Sequence, residues 1–289
     1  MNYAHPEALV STEWLAAHLD DKNLRILDGS FTLPGVSPTG PELYAQRHIP
    51  GAIFFDIDGI RDEHNPLPHM LPDEKTFAAM MGRLGVGDSH KVVVYDSTGF
   101  MSAPRIWFSL TAFGHKDVAL LNGGMPKWLA KRRPVTEAIP HFPPANFTAR
   151  LDRTRLRDKA AMLANLKTRR EQVIDARSAG RFAGTAPEPR EGLRGGHIPG
   201  SLSLPAYQLM AKNREVLPAD ELAARFRAAG LDPTRPVAAS CGSGVTASTL
   251  AFGLHLLGWQ NAAVYDGSWS EWGLPGDTPV ETGPGSTAR

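Results

Sequence analysis

The chain repeats itself once, and that repeat limits its fold more than any other feature. Arg47-His48-Ile49-Pro50-Gly51-Ala52 returns as Gly196-His197-Ile198-Pro199-Gly200-Ser201, and Ile26-Leu27-Asp28 returns as Val173-Ile174-Asp175. Val92-Val93-Val94-Tyr95-Asp96-Ser97 returns as Val237-Ala238-Ala239-Ser240-Cys241-Gly242, and Asn122-Gly123 with Trp128 returns as Asp266-Gly267 with Trp272. The signals keep their order and recur 144 to 149 residues apart. A period of that length indicates a duplicated domain rather than a solenoid of short repeats. The 289 residues suit two domains of about 140 residues each.

Each half alternates short apolar strands with helical patterns. Val92 to Tyr95 is an uninterrupted apolar run, as a strand buried on both faces of a parallel sheet requires. Phe77, Met80, Met81 and Leu84 precede it at helical spacing, and Leu222 and Phe226 precede Val237 to Ala239 in the same way. Ser11 is placed to cap a helix carrying Trp14, Leu15, His18 and Leu19 on one face. The expected fold class is α/β, with two tandem domains, each a mainly parallel sheet flanked by helices. The expected boundaries are 1–139 for the first domain, 140–157 for a linker and 158–289 for the second. Pro134, Pro140, Pro143 and Pro144 make the stretch around the linker read as extended. The tail from Thr278 to Arg289, rich in small and polar residues, reads either as unstructured or as a cover for a cleft.

Composition removes several classes of function. A net charge of +1 gives no global field toward nucleic acid or an anionic membrane, so neither is an expected partner and any anion recognition is local. A single cysteine excludes an intrachain disulfide framework and a thiolate-rich metal site, and no metal or cofactor is expected. The N-terminal stretch lacks the basic and apolar regions of a secretory signal, and no apolar run reaches the ~18 residues that span a bilayer. The expected compartment is the cytoplasm.

The cysteine itself stands in an informative setting. Cys241 follows a buried-strand signal and precedes Gly242-Ser243-Gly244-Val245-Thr246-Ala247 and the helical stretch Ser248 to Leu257. A strand, a tight turn and a helix N-terminus surround the sulfur with backbone N–H groups, which favour a thiolate, a persulfide or an oxyanion. The two glycines allow the turn positive φ and let a ligand approach the backbone. A free cysteine is most often an inert buried residue. The sharp turn and the small residues beside Cys241 argue for a nucleophile instead. A Cys-x5-Arg phosphatase would need an arginine where this chain has Ala247. His48 and His197 recur in both halves, including the half without a cysteine, which assigns them to turns rather than to catalysis.

The duplicated His-Ile-Pro-Gly signals, the Cys-Gly-Ser-Gly-Val-Thr loop at Cys241 and the stretch Tyr265-Asp266-Gly267-Ser268-Trp269 together resemble the tandem rhodanese family over nearly the whole chain. Within that family the loop is similar to that of the branch using 3-mercaptopyruvate. The resemblance implies two similar domains of which only the second is catalytic. Asp96 at the counterpart of the cysteine agrees, because an aspartate cannot form a persulfide. It implies that Cys241 carries sulfur from 3-mercaptopyruvate to cyanide, a small thiol or a thioredoxin-like acceptor. It further implies that Arg181 and Arg190 bind the donor carboxylate and carbonyl, and that Gly242, Gly244, Val245 and Thr246 line the bound donor. By the same resemblance Ser243, His69 and Asp58 form a polarising relay.

Thiosulfate-using relatives carry cationic side chains directly after the cysteine, whereas Gly242 and Ser243 are neutral here. A compact dianion lacks its partners in such a loop, while a keto acid needs a fork-shaped cation set back from the sulfur. Three alternatives stay open at this point: a thiosulfate:cyanide sulfurtransferase, a non-catalytic sulfur-relay or docking module, and a hydrolase built on Ser243, His69 and Asp58. The last is disfavoured because Ser243 is not at the apex of a Gly-x-Ser-x-Gly elbow.

Overall fold

A computed structural model describes residues 2–259 and 262–285 and shows two five-stranded sheets of the same topology. In the first, β1 (Leu9–Val10), β2 (Leu24–Asp28), β3 (Ala52–Phe54), β4 (Lys91–Tyr95) and β5 (Val118–Leu121) lie in the order β1-β5-β4-β2-β3. In the second, β6 (Leu156–Arg157), β7 (Gln172–Asp175), β8 (Leu202–Ser203), β9 (Val237–Ser240) and β10 (Ala262–Tyr265) lie in the order β6-β10-β9-β7-β8. Every pairing is parallel, so each sheet carries helices on both faces, as the strand–helix alternation implies.

The central strands show why the apolar runs are continuous. Val92 and Val94 of β4 join one apolar cluster, while Val93 and Tyr95 join another on the opposite face. The period-two alternation of a strand therefore points every residue at a core. Helix α3 (Glu74–Arg83) is started by Asp73, whose side chain accepts the Thr76 N–H, and it buries Phe77 and Met81. Helix α8 (Ala219–Ala228) buries Leu222 and Phe226 in the second half. Ser11 caps α1 (Thr12–Ala17) by accepting the Trp14 N–H, but the helix stops before His18 and Leu19. The apolar pattern there outruns the helix.

Helices α4 (Ala103–Ala112) and α9 (Ala247–Leu256) follow β4 and β9, and they pack against each other where the two halves meet. Both are buried nearly all round, as helices with no free face are. The Phe252 ring stands edge-on to Phe100 and Trp107 of the first half, with centroids 5.4 and 4.8 Å away. A single apolar cluster thus runs from Phe77 in the first half to Phe226 in the second.

The two recurring histidines hold returning chain. His48 faces the Tyr44 and Ala138 carbonyls through its two ring nitrogens, and its backbone bridges Thr136. His197 faces the Phe182 carbonyl, stacks on the Phe182 ring, and its backbone bridges Glu281. Both are fully buried, in the turn-forming role that their repetition indicates. The Glu281 bridge carries the tail along the second sheet's flank, where Gly283 donates to the Ala183 carbonyl. Up to residue 285 the tail therefore does not cover a cleft between the halves; the rest of it, 286–289, lies outside the described residues. The proline-rich connection is tied to the first half, with Ala145, Arg150 and Asp152 donating to the Gly82, Phe113 and Ala112 carbonyls. Among the described residues no helix is long and apolar enough to cross a membrane, and no acidic, histidine or cysteine cluster has the spacing of a metal site.

Candidate active site

Cys241 is the first residue after β9, at the carboxyl end of a central strand, where parallel sheets open their crevices. It is 1% exposed. The Cys241 and Gly244 N–H groups donate to Ser268 Oγ at 3.1 Å each, and Ser268 Oγ donates to the Tyr265 carbonyl. Two of the loop's donors are thus engaged by a side chain from beyond β10 rather than by the sulfur, so the ring of free N–H groups is smaller than expected. Among the described residues the Gly242, Ser243, Val245 and Thr246 N–H groups have no acceptor. Val245 is buried and Thr246 occupies the N-cap of α9.

The two glycines of the loop serve different ends. Gly244 has φ +78, which only glycine adopts freely. Gly242 does not use positive φ; it provides room, because a Cβ there would stand 3.0 Å from Arg181 Nη2. Ser268 itself has φ +47, and its repeat counterpart Gly124 has φ +50. The half with the cysteine places a serine where the other half has the glycine that the conformation favours. That departure from the repeat was the available signal for Ser268, which sequence reading passed over.

The first half displays the same turn with its anion in place. The Asp96 carboxylate accepts the backbone N–H groups of Thr98, Gly99, Met101, Ser102 and Ala103 at 2.6–2.9 Å. Five amides on one carboxylate show that this strand–turn–helix geometry is an anion cradle.

Ser243, His69 and Asp58 come together across the boundary between the halves. The loop between β3 and α3 carries His69 to the second half, where its Nδ1 stands 2.9 Å from Ser243 Oγ. Its Nε2 stands 2.7 Å from Asp58 Oδ1. His69 is 2% exposed, whereas the Asp58 side chain is 69% exposed. With Asp58 accepting the Nε2–H, Nδ1 is the nitrogen left to accept the Ser243 hydroxyl proton. The hydrogen bond from His69 holds the Asp58 carboxyl below the ordinary carboxylate range against the opposing effect of burial, and the Arg190 and Arg61 charges add to it.

The two arginines singled out from sequence both stand close to the cysteine loop. Arg181, on α7 (Ala179–Ala183), binds Glu188 Oε2 through Nη2 and Nε at 2.5 and 3.1 Å and lies over Gly242. Arg190 makes no hydrogen bond among the described residues. Burial pushes its pKa down, while Asp58 and Cys241 lie close enough to oppose that effect. Arg177 was not foreseen. Its guanidinium is buried, binds Asp175, Glu188 and the Gly196 carbonyl, and lies 4.2 Å from the Trp269 ring centroid. It fixes Glu188, which in turn fixes Arg181. Its signal was again a break in the repeat: Asp175-Ala176-Arg177 corresponds to Asp28-Gly29-Ser30.

Known proteins share this fold. The family model described as a rhodanese-like domain matches the chain twice, over residues 11–131 and 158–274. The chain is 43% identical over 271 residues to 3-mercaptopyruvate sulfurtransferase of Mus musculus, covering 92% of this chain and 91% of that protein. It is 42% identical over 290 residues to thiosulfate sulfurtransferase of Bos taurus, covering 97% of each. The crystal structure of SseA from Escherichia coli, described as a 3-mercaptopyruvate sulfotransferase, aligns with a TM-score of 0.83 and 38% identity, covering 91% of this chain and 99% of that one. Two matched domains, one shared permutation of strands and relatives above 40% identity over nearly the full length lead to one conclusion: the chain belongs to the rhodanese family.

Proposed function

We propose that the protein is a sulfurtransferase that moves sulfur from 3-mercaptopyruvate, through a persulfide on Cys241, to cyanide, a small thiol or a thioredoxin-like protein, releasing pyruvate. The observation that carries this reading is the hydrogen bond from Ser243 to His69 beside a neutral Gly242 overlaid by Arg181. Residues 158–289 act as the catalytic domain, 140–157 as the linker and 1–139 as a non-catalytic domain that supplies His69 and Asp58. The reaction needs no cofactor and runs in the cytoplasm.

The Cys241 thiolate attacks the donor sulfur and forms the new S–S bond. The C–S bond breaks, and its electron pair passes to the enolate of pyruvate, which takes up a proton at carbon. Arg181 and Arg190 bind the carboxylate and the carbonyl oxygen, and once the donor is bound the Ser243 hydroxyl, positioned by His69 and Asp58, swings its single proton from His69 Nδ1 to the oxygen on which charge develops. The amides of Gly242, Ser243, Val245 and Thr246, with Gly244 shaping the turn, receive the outer sulfur, much as the turn of the first half receives the Asp96 carboxylate. A second nucleophile then takes that sulfur and restores the thiolate.

Initial rates with 3-mercaptopyruvate and with thiosulfate, cyanide as acceptor, test the donor. Equal yields of pyruvate and thiocyanate with a strong preference for mercaptopyruvate are expected. Preference for thiosulfate would overturn the donor assignment and leave the persulfide chemistry. Cys241→Ser should lose turnover with either donor while keeping its thermal transition, and retained turnover would remove Cys241 from the reaction. Arg190→Ala should lower kcat/KM for mercaptopyruvate by about 100-fold, the scale of a lost bidentate charge contact, without slowing alkylation of Cys241.

A further inference from the structure

The loop that delivers His69 is held by two residues that the proposed chemistry does not use. Arg105, on α4, is 2% exposed, and its Nη2 donates to the His69 carbonyl and to Asp266 Oδ1. Asp266, the residue after β10, accepts the Leu71 N–H through Oδ2 at 2.8 Å. The backbone on either side of Met70 is therefore pinned by one residue from each half. His69 takes φ +60, a left-handed conformation that disfavours residues with a side chain.

The repeat supplies an internal control. Arg214, the counterpart of His69, also has a left-handed φ of +69, and Val216, the counterpart of Leu71, donates its N–H to Asn122 Oδ1 at 2.9 Å. Asn122 is the counterpart of Asp266, so that clamp is uncharged. Counted from the start of each helix, the counterpart of Arg105 is Thr249. Both halves hold a left-handed loop by the same amide; the loop at Arg214 adds a partly buried pair, Lys127 with Glu215, and only the loop serving the cysteine carries a fully buried ion pair. Burying two charges costs solvation, and the Asn122 version shows that holding the amide does not require it. Among the described residues Arg105 Nη1 has no partner, and it lies 3.0 Å from where a Cβ on Gly244 would stand, which sets the guanidinium against the cysteine loop.

We propose that Arg105 and Asp266 are positioning residues for His69. The pair fixes the left-handed turn, and with it the distance from imidazole to Ser243, so that docking of the two halves governs use of the keto-acid donor. This rests on reading Ser243, His69 and Asp58 as the relay.

The test uses the full chain and compares His69→Ala, the double variant Arg105→Met with Asp266→Asn, and the triple variant. The double variant copies the uncharged clamp of the first half and leaves no buried charge unpaired. Alkylation of Cys241 by iodoacetamide reports on the sulfur site alone. The kcat for mercaptopyruvate is expected to fall about 10- to 100-fold in His69→Ala and in the double variant, with KM within about threefold and alkylation unchanged. The triple variant should lose little beyond His69→Ala, because both changes act through one imidazole. An unchanged kcat in His69→Ala overturns the relay and the clamp with it. A low kcat in His69→Ala with an unchanged kcat in the double variant overturns the clamp alone. Losses that multiply in the triple variant, or alkylation that falls in step with kcat, replace positioning by a general structural role. Where the double variant does not fold, Arg105→Lys takes its place. The lysine keeps the charge but reaches one acceptor instead of two, so an intermediate kcat is expected and an unchanged one overturns the clamp.

Discussion

Gly242 shows how a single missing side chain makes room for a cation beside the cysteine. The space above its Cα is taken by the Arg181 guanidinium, itself held by Glu188. A cationic side chain at 242 must displace Arg181, and a lysine at 243 deprives His69 of its hydroxyl partner. The double variant Gly242→Arg with Ser243→Lys should therefore lower kcat/KM for mercaptopyruvate by about 100-fold or more while raising it for thiosulfate. Paired rate measurements check both halves of that expectation, and a parallel loss with both donors would show that loop charge is not the selector. Asp58 gives a pH expectation. Its carboxyl is held below the ordinary 3.8, so its contact with His69 is complete above that value and is lost only as pH falls through the lower, folded-state value. Any acidic limb of kcat/KM above pH ~4 should then survive Asp58→Asn, because it belongs to another group.

Helices α4 and α9 carry the contact between the halves, and α9 carries a titratable group into it. His255 stacks on His5, with centroids 4.3 Å apart, and lies against the Trp107 ring. Burial, followed by the His5 and Arg155 charges, pushes its pKa down to about 4, with Glu7 opposing. In the unfolded chain the imidazole titrates near 6.5, so between pH 6.5 and about 4 the unfolded state binds more protons. Stability should be highest above that window and should decline as pH falls through it. Thermal unfolding of the wild type at pH 7 and pH 5 should show a drop roughly 5 °C greater than that of His255→Gln. Equal drops would place the acid sensitivity elsewhere. Helix α9 was legible as a helix from its strand–turn–helix context. Which of its faces meets α4 was not, because its apolar residues spread round the helix rather than along one stripe.

At the scale of the whole molecule, the candidate site exists only because two copies of one fold are docked. The second half supplies Cys241, Ser243, Arg181 and Arg190; the first supplies His69 and Asp58 through a loop that crosses the boundary. Phe252, fully buried against Phe100 and Trp107, is an anchor of that docking. Phe252→Ala should cost about 3–5 kcal/mol in denaturant unfolding, the range for an aromatic removed from a packed core. Turnover of mercaptopyruvate should fall with it, while Cys241 remains open to alkylation. A destabilised variant with full turnover would show that the relay does not depend on this interface.

What the sequence by itself determined is the part written in local pattern and in repetition. Continuous apolar runs specify strands buried on both faces, and matched signals at one offset specify a duplicated parallel fold. A cysteine before a glycine turn and a helix specifies a sulfur set among backbone N–H groups at the end of a central strand. Resemblance to a family named Ser243, His69, Asp58, Arg181 and Arg190, but composition and spacing alone would not have chosen His69 among ten histidines. The tertiary structure decided the rest: that two loop amides serve Ser268, that Gly242 makes room for Arg181 rather than for a turn, and that Arg105, Asp266 and Arg177 hold the site's frame. These are contacts between residues tens to hundreds of positions apart, and their partners are chosen by how two sheets and two helices pack. Local pattern encodes burial and periodicity; it does not encode which buried group will face which.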